Sequence, residues 1–288
     1  NVSWENADWY TQVLTDAGKS TAPEPGVTMK TQSIQGKGGS FPIHIFTPEG
    51  TGPFPVVVYF HGGGFVIADT KVYESSVRGL AKKAKAIVIS ADYRLAPEHK
   101  FPTQTEDAFE AYQWALANAK SINGDPMRVA VAGESAGGNL ATVVSMMAME
   151  KKIQMPVHQL LVYPVVNDDM NNESYKKNAN AKPLNKAMMT WFFKHYGADP
   201  KSPYALPMKA ASLKGLPAAT VITAEIDPLM TEGKAYADRL KKEGVTVNYR
   251  HFTGVTHEFF GMDAVVPKAK EAQQFAADEL TKAFNAKR

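Results

Sequence analysis

The chain has 288 residues, 44% hydrophobic and 21% charged, enough apolar mass for a large core and too much for disorder to be the main state. It contains no cysteine, which excludes disulfides, thiolate-bound metals and thiol nucleophiles, so any covalent chemistry must use another group. The formal charge of +3, spread over pairs such as Lys82-Lys83 and Lys241-Lys242, describes a solvated surface and excludes a nucleic-acid footprint.

Apolar residues at helical spacing, Trp4, Trp9, Tyr10, Val13 and Leu14, predict a helical lead-in that Pro23, Pro25 and Gly26 end. Strand patterns follow at 41–46 and 55–60, the second apolar enough to be buried on both faces. Helix and strand then alternate: helix 75–85, strand 86–90, helix 105–119, strand 128–132, helix 136–151, strand 159–165. After a polar stretch come strand 219–224, helix 231–243, strand 245–252 and a closing helix over 267–285. This alternation predicts an α/β fold with a mostly parallel sheet covered on both faces. Residues 167–213 break the rhythm and read as an inserted helical excursion. No run approaches the roughly 18 apolar residues of a membrane span, so membrane insertion is not expected. The first residue is Asn1, from which we expect a trimmed chain, either cytoplasmic or the mature form of an exported protein.

Two glycine-rich motifs carry chemistry. Gly133-Glu134-Ser135-Ala136-Gly137 lies between a strand and a helix, where a tight turn admits no Cβ beside the serine and projects its hydroxyl at the sheet edge. His61-Gly62-Gly63-Gly64-Phe65 follows the buried strand 55–60, the context of an oxyanion-hole loop whose backbone N–H groups must reach within about 3 Å of a developing negative charge. No phosphate-loop pattern aligns there. A serine nucleophile needs a base and the base an orienting acid. Of the seven histidines, His257 sits in a loop after the last strand and is the best base; His61 is expected to tie its own loop together. His257-Glu258 does not extend to a zinc motif, because position 261 is glycine, and no metal or cofactor is expected. Asp227 follows strand 219–224 and is the expected acid, with Glu225 as rival. The order Ser135, Asp227, His257 is that of α/β-hydrolases.

The sequence resembles the hormone-sensitive-lipase-like, or bacterial family IV, esterases of the α/β-hydrolase superfamily. The likeness is carried by His61-Gly62-Gly63-Gly64-Phe65, Asp92-Tyr93-Arg94-Leu95-Ala96-Pro97-Glu98-His99, Phe101-Pro102, Gly133-Glu134-Ser135-Ala136-Gly137-Gly138-Asn139, Asp227-Pro228-Leu229 and His257-Glu258-Phe259. The resemblance implies one α/β-hydrolase domain over 1–288, an eight-stranded mostly parallel sheet, and a small helical cap drawn from about 1–40 and 167–213. It implies a carboxylic-ester hydrolase with Ser135 as nucleophile, Asp227 as acid, His257 as base, and the N–H groups of Gly63, Gly64 and Ala136 as oxyanion hole. Phe65, Met188, Met189, Trp191, Phe192 and Phe259 are candidates for the acyl pocket, and a small cap suggests short- to medium-chain acyl esters. The expected partners are a small ester and, in a homodimer, a second copy. An amidase, a lactone hydrolase or a non-catalytic ligand receptor are the alternatives. The chain departs from the family pattern at Glu134, where aspartate is frequent, at Met230 and Thr231, and at Glu258, where glycine often follows the histidine.

Overall fold

The computed structural model describes residues 25–287. Eight strands, β1 (Val27–Gly36), β2 (Gly39–Pro48), β3 (Phe54–Phe60), β4 (Ile87–Ala91), β5 (Gly124–Glu134), β6 (Gln159–Val162), β7 (Ala219–Ile226) and β8 (Val247–Thr256), form one sheet in the order β1-β2-β4-β3-β5-β6-β7-β8. β1, β2 and β4 pair antiparallel, and every later neighbour pairs parallel. The buried apolar runs of β3, β4 and β6 occupy the middle of the sheet because only strands covered on both faces can hide side chains that point both ways.

The described residues include seven α-helices: α1 (Glu74–Ala84), α2 (Thr103–Asn118), α3 (Ala136–Glu150), α4 (Glu173–Lys177), α5 (Lys186–Tyr196), α6 (Met230–Lys242) and α7 (Pro267–Asn285). α1 and α7 pack together as one layer, while α3 packs against α2 and reaches α6 through a 2.6 Å hydrogen bond between Thr142 and Tyr236. α3 is buried from Ala136 to Ala148, apolar nearly all round as a helix pressed into the sheet must be.

The alternation expected from the sequence is present, with boundaries shifted by one to a few residues. Two expectations need correction. The stretch 27–40, assigned to the cap by resemblance, forms β1 and the start of β2, an edge hairpin of the main sheet. Its pattern escaped notice because β1 buries only Val27, Ile34 and Gly36, so no period of two marks it. The strand expected over 159–165 ends at Val162. The lead-in helix and the cap's share of residues 1–24 lie outside the described residues.

The 167–213 excursion connects β6 to β7 and carries α4 and α5. Asn172 and Asn185 cap these helices, their side-chain oxygens accepting the N–H groups of Tyr175 at 3.1 Å and Met188 at 2.9 Å. α5 ends at Gly197, whose φ of 64° suits glycine.

Candidate active site

Ser135 stands between β5 and α3 at φ 59°, ψ −116°, a conformation that costs a residue with a side chain on the order of 1–3 kcal/mol. The flanking glycines make the turn possible. A Cβ on Gly133 would lie 2.0 Å from the carbonyl oxygen of Gly137, and one on Gly137 would lie 1.8 Å from that of Phe60. The turn is locked by Ser135 N–H donating to Val162 O at 2.9 Å and by Ser135 O accepting from Asn139 and Val165.

Ser135 Oγ lies 2.9 Å from His257 Nε2, and His257 Nδ1 lies 2.7 Å from Asp227 Oδ2. The other Asp227 oxygen accepts the N–H of Leu229 at 2.9 Å. Asp227 and His257 are buried, and Ser135 keeps 5% of its surface exposed. With its Nδ1 hydrogen directed at the carboxylate, the imidazole presents Nε2 to the serine as an acceptor. The rival acid Glu225 turns elsewhere and accepts the N–H of Gly254 at 2.5 Å.

The glycine loop after β3 faces this serine. Gly63 and Gly64 have φ of 109° and 61°, and Gly63 O accepts from Val66 and Ile67, winding the loop into a tight turn. Among the described residues, the N–H groups of Gly63, Gly64 and Ala136 have no protein acceptor. Ala136 is the first residue of α3, where such N–H groups are left over and the helix dipole is positive. His61 anchors the loop from behind: it stacks on Tyr93 at 4.4 Å, directs Nδ1 at Gly62 O 2.5 Å away, and accepts the Tyr93 hydroxyl on its own carbonyl. Burial pushes the His61 ring below its ordinary pKa, consistent with a neutral structural histidine.

Of the expected pocket residues, Phe65, Met189 and Phe192 line the space above Ser135. Met188, Trp191 and Phe259 do not. Met188 is packed in the core. The Trp191 ring lies edge-on to Phe192 and His195, and Phe259 packs against Tyr163 and Phe252. One helical face can present only some of an apolar cluster to a pocket, and on α5 that face is Met189, Phe192 and Phe193. Val165, Leu184, Phe193 and Glu258 also line the pocket and were not foreseen.

Together, the sheet order, the strained serine turn and the serine, histidine and aspartate in hydrogen-bond contact describe one architecture, and a family profile described as alpha/beta hydrolase fold matches residues 57–261. The chain belongs to the α/β-hydrolase fold family. Within it, this hydrolase falls in the hormone-sensitive-lipase-like branch. It is 37% identical over 252 residues to carboxylesterase NlhH of Mycobacterium tuberculosis, covering 85% of this chain and 79% of the relative. It is 31% identical over 271 residues to the ethyl acetate hydrolase of Pseudomonas putida, covering 92% and 85% respectively. The hyperthermophilic esterase from Pyrobaculum calidifontis superposes with a TM-score of 0.93 at 36% identity, over 99% of this chain and 95% of that one.

The hydrolase also holds buried hydrogen-bond pairings that no motif announced. Behind the serine, the Tyr59 and Tyr163 hydroxyls both donate to the Glu134 carboxylate. Burial, with the Glu134 charge adding to it, pushes both phenols well above their ordinary pKa, so they remain donors. Tyr163 also packs its ring 4.4 Å from His257. Across the pocket, Glu258 accepts from Tyr73. The partners in these pairs are 29 to 185 positions apart, beyond the reach of any local pattern.

Proposed function

We propose that the chain is a serine carboxylesterase in which Ser135, His257 and Asp227 form the triad, Gly63, Gly64 and Ala136 supply the oxyanion hole, and the 167–213 excursion serves as the cap of a single hydrolase domain. The observation that carries this reading is the continuous chain from Ser135 Oγ through His257 to Asp227, at 2.9 and 2.7 Å, facing N–H groups without protein acceptors.

His257 Nε2 takes the Ser135 proton as Oγ bonds to the ester carbonyl carbon, while Asp227 holds the imidazole in place and stabilises the imidazolium. The carbonyl oxygen becomes an oxyanion facing the three N–H groups, each of which contributes roughly 3 kcal/mol to the transition state. Collapse of this intermediate breaks the bond to the alcohol oxygen, and His257 gives that oxygen its proton. Water then attacks the acyl-enzyme with His257 as base, releasing the acid and restoring Ser135.

The relatives named as carboxylesterase and ethyl acetate hydrolase support ester substrates. Short- to medium-chain acyl groups fit best, because Met189, Phe192 and Phe193 crowd the space over Ser135. A cavity of about 290 Å³ lined by Met170, Phe193, Tyr196 and Leu206 lies alongside, and Phe193 borders both spaces. No helix among the described residues is long and apolar enough to cross a membrane.

The deciding experiment is a panel of esters, lactones and amides run on the wild type and Ser135→Ala. Ester hydrolysis that falls to background in the variant supports the reading. Undiminished hydrolysis in Ser135→Ala ends it, and faster turnover of lactones or amides than of simple esters moves it to those substrates.

A further inference from the structure

Glu258 is the one carboxylate among the described residues that line the pocket, in surroundings otherwise apolar apart from Ser135, His257 and the glycine loop. Its side chain is buried, and its Oε1 lies 3.4 Å from His257 Nε2. Both carboxylate oxygens accept from the hydroxyl of Tyr73, at 2.9 and 2.8 Å. Tyr73 is itself fully buried ahead of α1, and its hydroxyl presses on the oxyanion loop, 2.5 Å from where a Cβ on Gly62 would stand. The carboxylate is thus pinned between that loop and the base.

The backbone of Glu258 has φ 78°, a left-handed conformation that glycine takes freely and a residue with a side chain takes at a cost. A strained backbone that presents a buried carboxyl group to a reactive pocket is better matched to a task there than to stability.

Nε2 must deliver its proton to the leaving oxygen, so during acylation that oxygen comes within about 3 Å of Nε2. Glu258 Oε1 then stands at most about 6.5 Å from the leaving oxygen. A hydroxyl or amine one carbon beyond the ester-bearing carbon of the alcohol can span that gap. A carboxylate offers about four acceptor sites on its two oxygens, more than a single tyrosine hydrogen uses, and bonds to an ionised acceptor are the stronger ones. An anionic alcohol brought to the same place meets a like charge in poorly hydrated surroundings.

Resting on the serine-esterase reading, we propose that Glu258 is a specificity-determining residue that favours esters of alcohols carrying a hydrogen-bond donor beside the ester-bearing carbon and rejects those carrying a carboxylate. The test compares 2-hydroxyethyl acetate with acetoxyacetate, and ethyl acetate as the neutral reference, in wild type, Glu258→Gly and Glu258→Gln. Glycine suits the left-handed backbone and removes the carboxylate; glutamine keeps an acceptor without the charge. The kcat/KM ratio of 2-hydroxyethyl acetate to acetoxyacetate is expected to fall at least tenfold in Glu258→Gly and at least threefold in Glu258→Gln, chiefly because acetoxyacetate gains on ethyl acetate. Ratios are taken within each protein, so a general loss of activity or of folded protein cancels. If Glu258→Gly does not fold, the threefold criterion in Glu258→Gln decides. A ratio that does not change overturns the proposal, whatever the absolute rates. Failure of the underlying reading looks different: all three esters would still be hydrolysed by Ser135→Ala.

Discussion

α3 and α5 both border the pocket, yet they are held in different ways. α3 begins directly after Ser135 and is buried over thirteen consecutive residues, Ala136 to Ala148, and the glycines at its start meet backbone atoms of β3 and of their own turn. α5 buries only Met188, Met189, Phe192 and Tyr196, starts on an asparagine cap and ends on a glycine. One helix fixes Ser135 through backbone contacts that cannot relax; the other covers it with flexible methionine and aromatic side chains. Reaction chemistry needs its groups held to a fraction of an ångström, whereas substrate fit can be set by side chains that move.

The contrast can be broken at four points. Ser135→Ala should lower kcat/KM for simple esters by about 10⁴-fold or more with the fold intact, as read by esterase assay beside circular dichroism. A loss of only tenfold would mean that the α3 turn does not carry the nucleophile. Gly137→Ala places a Cβ 1.8 Å from the Phe60 carbonyl oxygen, so urea unfolding should show a loss of about 3 kcal/mol, whereas Phe193→Ala, at a partly exposed position of α5, should cost less.

Glu232, on α6, anchors the start of the excursion that carries α5. Its buried carboxylate accepts the N–H groups of Val166 and Asn167, at 2.7 and 2.9 Å, where the chain leaves β6 toward the excursion. Burial, opposed by those two hydrogen bonds, raises its carboxyl from 4.5 to about 8. The folded state therefore keeps a proton that the unfolded chain releases above 4.5. The stability this proton contributes is fully present below pH 4.5 and is lost as pH rises through about 8. Glu232→Gln, which cannot titrate, should flatten the fall in Tm between pH 5 and pH 9 by a few degrees, roughly the effect of 1 to 2 kcal/mol in a chain of this size. Parallel Tm curves for wild type and variant would rule out this anchor as a titrating one. The smallest effect belongs to α5 alone. Phe193→Ala joins the pocket to the neighbouring cavity of about 290 Å³ and should raise the kcat/KM ratio of octanoyl to acetyl p-nitrophenyl esters about tenfold, close to 1.4 kcal/mol.

That Ser135, Asp227 and His257 meet at one sheet edge was legible because most of its signals are local. Gly133 and Gly137 mark a turn where backbone passes within contact distance of backbone, and such turns leave their trace in contiguous residues. Asp227 and His257 each follow a parallel strand, so strand order alone brings them to the edge where Ser135 emerges. The pocket was half legible. Phe65, Met189 and Phe192 lie in it, but Met188, Trp191 and Phe259 have the same apolar character and pack elsewhere. β1 left no alternation to read because, at the sheet edge, one neighbour and water suffice for most of its side chains.

The sequence by itself determined the alternating α/β architecture, the serine turn, the glycine loop and the order of the three residues that meet there, since each follows from backbone constraints within a few residues. Only the tertiary structure decided which aromatic groups face the pocket, that Tyr59 and Tyr163 converge on Glu134, and that Glu258 stands 3.4 Å from His257 Nε2 under the hold of Tyr73. These depend on side chains from separate elements closing on one point, and the free energy of such contacts comes from burial and mutual satisfaction in the packed interior, which no stretch of the chain encodes alone.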